Sequence, residues 1–425
     1  MATLLEHPEA QALLHQAEVS PETVRRCAAS LTAYLGRYLP RFYRAEHRAH
    51  AETILKGKLT ALQRKTTEPI ATQARQKRRP LQLFVGAGGW DDDAPLAELG
   101  RHARAELADA GGVLIVDGHG APKKGDDSCG VARQWCGHLG KVDNCQVSYF
   151  VAYAARRGKA LLGGRLYLPA HRAADAAHRN KTHVPEGVVF QEGWRIALGL
   201  IGEHRAALPH AWVTGDDEFG RASAFRARLR FWRERYVLDV PCNTLVRDLG
   251  ARPGGRGRRP PFEAADAWAA RQPKGRWRTF RVRDGEKGPL RVRACQQWVQ
   301  TKDEDGCVGP RERLLVIRSC EARPRTWYAL SNAKADVPLA ACVRAHGERH
   351  RMEELLQEAQ GEVGLDHYEV RSWVGWHHHV TLTLLALWFL QLEKLRVAKK
   401  KSAGEGAPGA AAVHPAAAAA AAQRA

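Results

Sequence analysis

Apolar positions along the chain fall into short runs separated by turns. The clearest run is GGVLIVDGHG at 111–120, which stays apolar up to Asp117 and then turns through glycine. A run of this kind, bounded by turn residues, predicts a strand buried on both faces. Gln146–Ala154 and Leu161–Leu168 predict two further strands, with Arg156, Arg157 and Gly158 turning between them. An antiparallel pair is therefore expected beside the Asp117 strand. His210–Asp216, HAWVTGD, is a second short apolar run ending in acid, and Tyr236–Val240 reads as another strand. Helical spacing predicts helices over Ala94–Ala108, Val188–Ala206 and Phe225–Arg235. Strand, hairpin, helix, strand, helix, strand is the order of a mixed sheet with helices, an α/β fold.

The flanks read differently. Residues 1–80 predict a helical region, with Val24, Cys27, Leu31, Tyr34, Leu35 and Tyr38 at helical spacing and a second helix over Glu46–Lys65. That region ends in the basic run Gln76–Arg79, so it either docks on DNA or caps the main domain. Residues 81–242 form the first part of the core. From 243 to 324 the composition turns arginine-rich, with Trp268, Trp277 and the loop GARPGGRGRRPP. Val292–Gln300 and Leu314–Ser319 predict strands there, which makes the segment a β-rich insertion. Residues 325–398 return to the core with one strand, Trp327–Ser331, and helices from about Leu339. The alanine-rich tail, 399–425, is expected to be disordered.

Charge changes the picture more than composition does. Lys plus Arg is 66 against Asp plus Glu 46, a net charge of +20. Such an excess attracts polyanions. Membrane is discounted as the partner, because the most apolar run, Val380–Leu392, is shorter than the ~20 residues that span a bilayer. The N-terminus lacks the basic and apolar regions of a signal peptide, so a cytoplasmic, nucleoid-associated protein is expected. Nine cysteines without a CxxC pair read as reduced structural thiols, and Cys129, Cys136 and Cys145 match no zinc spacing.

Asp117 at the carboxyl end of a buried strand lies where open α/β sheets place their chemistry. Lys123 and Lys124 follow within a turn of chain, a pairing that suits a metal ion and a phosphodiester held together. A third carboxylate comes from HGERHRMEELLQEAQGEV at 346–363. Read as one helix at ~100° per residue, it sets Arg349, Glu353 and Gln360 within roughly 40° of one another, with His346 beside them. Met352, Leu356, Ala359 and Val363 form an adjacent apolar stripe. In the insertion, Arg256, Arg258 and Arg259 among tryptophans suit phosphate contact and base stacking.

With these blocks in view, the chain resembles a bacterial insertion-sequence transposase of the DDE superfamily. The resemblance rests on Asp117–Asn144 with KKG, GVARQWCG and LGKVDNCQV, on VTGDDEFGR at 213–221, and on GEVGLDHYEVRSWVGWHHH at 361–379. RKTTEPIA at 64–71 and RLYLP at 165–169 add to it. It implies a ribonuclease-H-like core with a β-rich insertion before the last catalytic helix. It implies catalytic carboxylates at Asp117, Asp216 and Glu353, with Asp217 the alternative to Asp216, holding Mg²⁺, for which Mn²⁺ can substitute. Relatives carry a tyrosine, arginine, glutamate and lysine signature on that helix. Here Arg349 and Glu353 match, while His346 and Gln360 replace the tyrosine and the lysine. His119 and Ala121 also depart from the residues more common in relatives. The implied activity is cleavage of double-stranded DNA at element ends and strand transfer into a target, by a homodimer that brings two ends together. Arg349, Lys123, Lys124, Gln360 and His346 would handle phosphates. A DNA-binding protein without cleavage, or a Mg²⁺-dependent nuclease without strand transfer, are the alternatives.

Overall fold

The computed structural model describes residues 11–12, 15–16 and 19–402, apart from 138, 253–258 and 286–287. Helices α1 (Pro21–Tyr38), α2 (Ala45–Lys58), α3 (Thr67–Gln73), α4 (Arg78–Ala87) and α5 (Asp93–Leu107) come first. Ser20 starts α1 by accepting a hydrogen bond from the Thr23 N–H, with Pro21 at the first helical position. The face carrying Leu31, Tyr34, Leu35 and Tyr38 is buried in the main core, where the Tyr34 hydroxyl donates to the Leu385 carbonyl at 2.6 Å. The helical N-terminal region thus shares its core with the sheet.

The sheet begins with β1 (Val113–Pro122), β2 (Ala132–Cys136), β3 (Lys141–Ala155) and β4 (Gly158–Leu166). Short helices α6 (Ala170–Ala174) and α7 (Ala176–Lys181) lead to α8 (Gly193–Arg205), and then follow β5 (Trp212–Gly215), α9 (Asp217–Arg221), α10 (Ser223–Phe231) and β6 (Tyr236–Val240). β1 pairs antiparallel with β3 and parallel with β5, and β5 runs parallel to β6. The expected hairpin is β3–β4. The helix expected from Val188 begins only at Gly193. A Cβ on Gly193 would stand 2.0 Å from the Tyr149 hydroxyl, so glycine is what lets the helix start against β3.

Residues 243–324 supply β7 (Leu245–Asp248), β8 (Glu263–Ala264), α11 (Ala265–Ala270), β9 (Arg278–Gly285), β10 (Gly288–Lys302) and β11 (Val308–Ser319), before β12 (Thr326–Ser331). β12 lies between β11 and β6, so these strands extend the same 12-stranded sheet. Val246, Trp268, Val299, Leu314 and Val316 give this end its own apolar cluster. A buried polar knot ties it to the core. Glu312 of β11, 0% exposed, receives Arg226 Nε at 3.1 Å, Arg230 at 3.1 Å and the Tyr236 hydroxyl.

The chain ends in α12 (Leu339–Gly347), α13 (His350–Val363) and α14 (Trp373–Ser402). The segment from His346 to Val363 is therefore two helices, a correction to the single helix expected from its periodicity. The break falls at Glu348 and Arg349, just after Gly347, where a Cβ would meet Val282 of β9 at 2.2 Å. Val380–Leu392 is buried within the core, and among the described residues no helix is long and apolar enough to cross a membrane. The cysteines are all free.

Candidate active site

Three aspartates meet at one level of the sheet. Val116 of β1 pairs with Gly215 of β5, and Gly215 with Leu238 of β6. The next residue on each parallel strand is Asp117, Asp216 or Asp239. Parallel neighbours lie ~4.8 Å apart, so the row places carboxylates side by side at the carboxyl ends of the strands. Asp216 also caps α9, accepting the Glu218 N–H at 3.0 Å, while Asp117 accepts the Gly118 N–H at 2.9 Å. Among the described residues no side chain donates a hydrogen bond to either.

The charges of the row are not equivalent. Burial and the Asp216 charge push the Asp117 carboxyl up, to about 7, with Arg349 opposing and Glu353 adding to the rise. Burial likewise raises Asp216, with Arg349 opposing and Asp217 adding. Burial would raise Asp239 too, but His346 and Arg349 overrule it and hold its carboxyl below the usual range. His346 Nε2 stands 2.8 Å from Asp239 Oδ1, and the Arg349 guanidinium pairs with the other oxygen. Burial works against the Arg349 charge, yet Asp239, Asp117, Asp216 and Glu353 together raise its pKa.

The residues read from the sequence sort themselves accordingly. His346 and Arg349 lie at the α12–α13 corner, against Asp239. Glu353, in the first turn of α13, has its side chain 64% exposed and sits 3.4 Å from His350 Nδ1. Asp217 turns outward, 47% exposed, beside Arg221. Gln360 lies two turns beyond Glu353 and donates to Asp366 at 2.5 Å, whose other oxygen is 3.0 Å from His119 Nε2. Lys123 stands 4.8 Å over the Tyr368 ring, where burial lowers its pKa against the opposing Asp366 charge. Lys124 and Arg259 are exposed; Arg256 and Arg258 lie outside the described residues. Sequence reasoning missed Asp239 and Asp366. The available signal for Asp239 was an acid inside the otherwise apolar strand YVLDV.

Among the described residues no three His, Cys, Asp or Glu side chains stand close enough to hold a metal ion as they are. Glu353 is turned to His350, and Asp239 is taken by His346 and Arg349. The donor set nevertheless fits a hard divalent cation. Asp117 and Asp216 offer carboxylate oxygens whose mutual repulsion a cation would relieve, and Glu353 already acts on Asp117 electrostatically.

A piggyBac transposase synaptic complex with hairpin DNA, solved by cryo-EM, aligns over 86% of this chain and 68% of that chain at 11% identity and a TM-score of 0.40. No curated protein matches the chain. The sequence profile described as DDE superfamily endonuclease matches residues 37–289. That stretch is more than half of the chain and takes in β1, β5 and β6 with their three aspartates, though not Glu353. The chain belongs to the DDE superfamily endonuclease family.

Proposed function

We propose that this endonuclease-family protein is a DNA transposase that cleaves at the ends of an insertion sequence and joins the freed ends to target DNA. The observation that carries the reading is the row Asp117, Asp216, Asp239 on three adjacent parallel strands, with Arg349 set among them. Asp117, Asp216 and Glu353 are the residues that would hold divalent cations, Mg²⁺ or Mn²⁺. When bound, such ions supply Lewis-acid activation and charge neutralisation for displacement at phosphorus. The chain's own part is positioning. Asp239 fixes Arg349 so that its guanidinium stays charged beside the aspartates, where a scissile phosphate would need a cation. Lys123 and Lys124, past the end of the Asp117 level, would hold a neighbouring phosphate. The net charge of +20 supports long-range capture of DNA, and two copies would present two ends.

The test uses end-labelled duplexes carrying the element ends, with Mg²⁺ and a target plasmid. Joined product supports the transposase reading. Cut product alone reduces the function to a nuclease, and a shifted complex without cutting reduces it to a DNA-binding protein. One observation favours that last outcome over the others, namely that Glu353 is engaged with His350 and directed to solvent. A metal titration read by melting temperature separates the readings independently. Mg²⁺ should stabilise the protein by mass action and should fail to stabilise Asp117→Asn.

A further inference from the structure

The β2–β3 hairpin contributes no residue to the carboxylate row, yet it has a surface that asks for a partner. Trp135 is 62% exposed, and Val142, paired directly opposite, is 53% exposed. Large apolar side chains side by side in water are unfavourable unless something covers them. Their side of the hairpin follows from register. Asp117 and His119 pair with Phe150 and Ser148, while Arg133 and Trp135 pair with Asn144 and Val142. Side chains alternate along β3, and Gly120 pairs with Val147 as Cys136 does with Lys141, so Cys136 meets β1 on the face opposite Asp117 and Trp135 points outward from it. The hairpin also curls back toward β1. Cys136 Sγ reaches the Gly120 carbonyl at 3.5 Å, and a Cβ on Gly120 would lie 3.2 Å from Cys136 Cα. Asp117 to Gly120 spans ~10 Å of strand, and Trp135 is one Cα step of ~3.8 Å from Cys136, so Trp135 lies within roughly 20 Å of Asp117.

The charge around the indole names the partner. Asn144 donates to the Lys123 and Gly125 carbonyls, each at 3.0 Å, which fastens the basic loop to the hairpin. Lys124 and Arg133 are exposed; Lys124 pairs with no acid among the described residues, and Asp143, the acid that Arg133 acts on, is already paired with Lys141 at 2.9 Å. A second copy of the chain, itself at +20, would bring like charge to this edge. A polyanion with flat apolar faces would not.

We propose that the hairpin crest, Trp135 with Val142, Arg133 and Lys124, is a second DNA contact outside the carboxylate site. The indole packs on unpaired bases or sugars of DNA running past this edge of the sheet, and the two cations take its phosphates. The inference rests on the DNA reading above.

The test is a salt titration of the full-length protein binding a fluorescein-labelled duplex of random sequence that carries a single-stranded overhang, whose unpaired bases are open to stacking. Trp135→Ala should weaken binding by about 5- to 150-fold, the range for loss of one aromatic–base contact, with the salt slope unchanged. Arg133→Ala should lower the slope by about 0.9, the value for one lost phosphate contact. In a separate arm, p-benzoylphenylalanine at position 135 should photo-crosslink to the duplex. Unchanged affinity in Trp135→Ala, or crosslinking to a second protein copy in place of DNA, would overturn the inference while leaving the DNA reading intact. If the unsubstituted protein shows no salt-dependent binding, the DNA reading falls and this contact falls with it.

Discussion

Replacing Glu312 by alanine probes the joint between the β-rich strands and the catalytic core. Glu312 is 0% exposed, and a single oxygen, Oε1, receives Arg226, Arg230 and Tyr236. Arg226 is itself only 4% exposed at its side chain. Its remaining acceptors are the Gly220 and Arg221 carbonyls and Thr301 Oγ1, none of which is charged. Glu312→Ala therefore leaves a buried guanidinium without a counter-ion, a change that costs about 3–5 kcal/mol. Against a typical total of ~5–15 kcal/mol this is a large share. It should show as a lower urea midpoint without a change in slope. The double variant Arg226→Met with Glu312→Leu removes both charges and should recover at least half of the loss, as apolar replacement of buried pairs usually does. There is a functional arm as well. Arg226 grips the Gly220 carbonyl of α9, the helix that Asp216 caps, so Glu312→Ala should reduce cleavage more than DNA binding. A loss below about 1 kcal/mol, or a double variant no more stable than the single one, would refute the claim that this knot is held by its charges.

Asp117→Ala, Asp216→Ala and Glu353→Ala should each abolish cleavage while DNA binding persists, and Asp217→Ala should be milder because Asp217 faces solvent beside Arg221; cleavage and gel-shift assays on the same preparations decide it. Asp239→Asn should release Arg349 and His346 and lower cleavage although no proposed metal ligand is altered, and unchanged kinetics would show that Arg349 is positioned without it. Gln360→Lys should change stability by no more than roughly 0.5 kcal/mol, since the lysine can still meet Asp366, and should raise cleavage if the position faces DNA. Burial lowers the pKa of His377, to about 3, and also those of His378 and His379. The unfolded chain binds their protons below its ordinary histidine pKa of ~6.5 and the native one does not, so stability should fall on acidification from about pH 6.5, by up to ~1.4 kcal/mol per pH unit per histidine. A flat urea midpoint between pH 7 and 5 would contradict this.

The Asp117 strand was legible because a short apolar run bounded by glycine is a local signature, and local signatures survive without knowledge of the fold. The β3–β4 pair and the strand ending at Asp216 were legible for the same reason. β2 was not, since it is five residues long and half of its side chains meet solvent or a carbonyl. The break after Gly347 was invisible, and so was the close approach of Val282 to Gly347, because Val282 is on a strand far away in sequence. The same distance hid the role of Asp239, whose partners His346 and Arg349 come more than a hundred residues later. Helical arithmetic did place Arg349, Glu353 and Gln360 on one edge, but it could not tell that each meets a different group there. Arg349 goes to Asp239, Glu353 to His350 and Gln360 to Asp366.

That division of partners is what gives the aspartate row its direction. Three carboxylates at one sheet level would be equivalent if only the strands were considered. His346 and Arg349, from the α12–α13 corner, pair directly with Asp239, and its carboxyl is held below the usual range. Among the described residues Asp117 and Asp216 receive only backbone N–H groups, and burial drives both carboxyls up, with the Asp216 charge adding at Asp117 and the Asp217 and Asp239 charges adding at Asp216. On the proposed function, a cation entering the row would therefore gain most between Asp117 and Asp216, and least beside Asp239, where Arg349 already stands. His346 adds to this bias, because its Nε2 stands 2.8 Å from Asp239 Oδ1 and occupies that oxygen. The corner thus sets the anchored aspartate apart from the two that remain available.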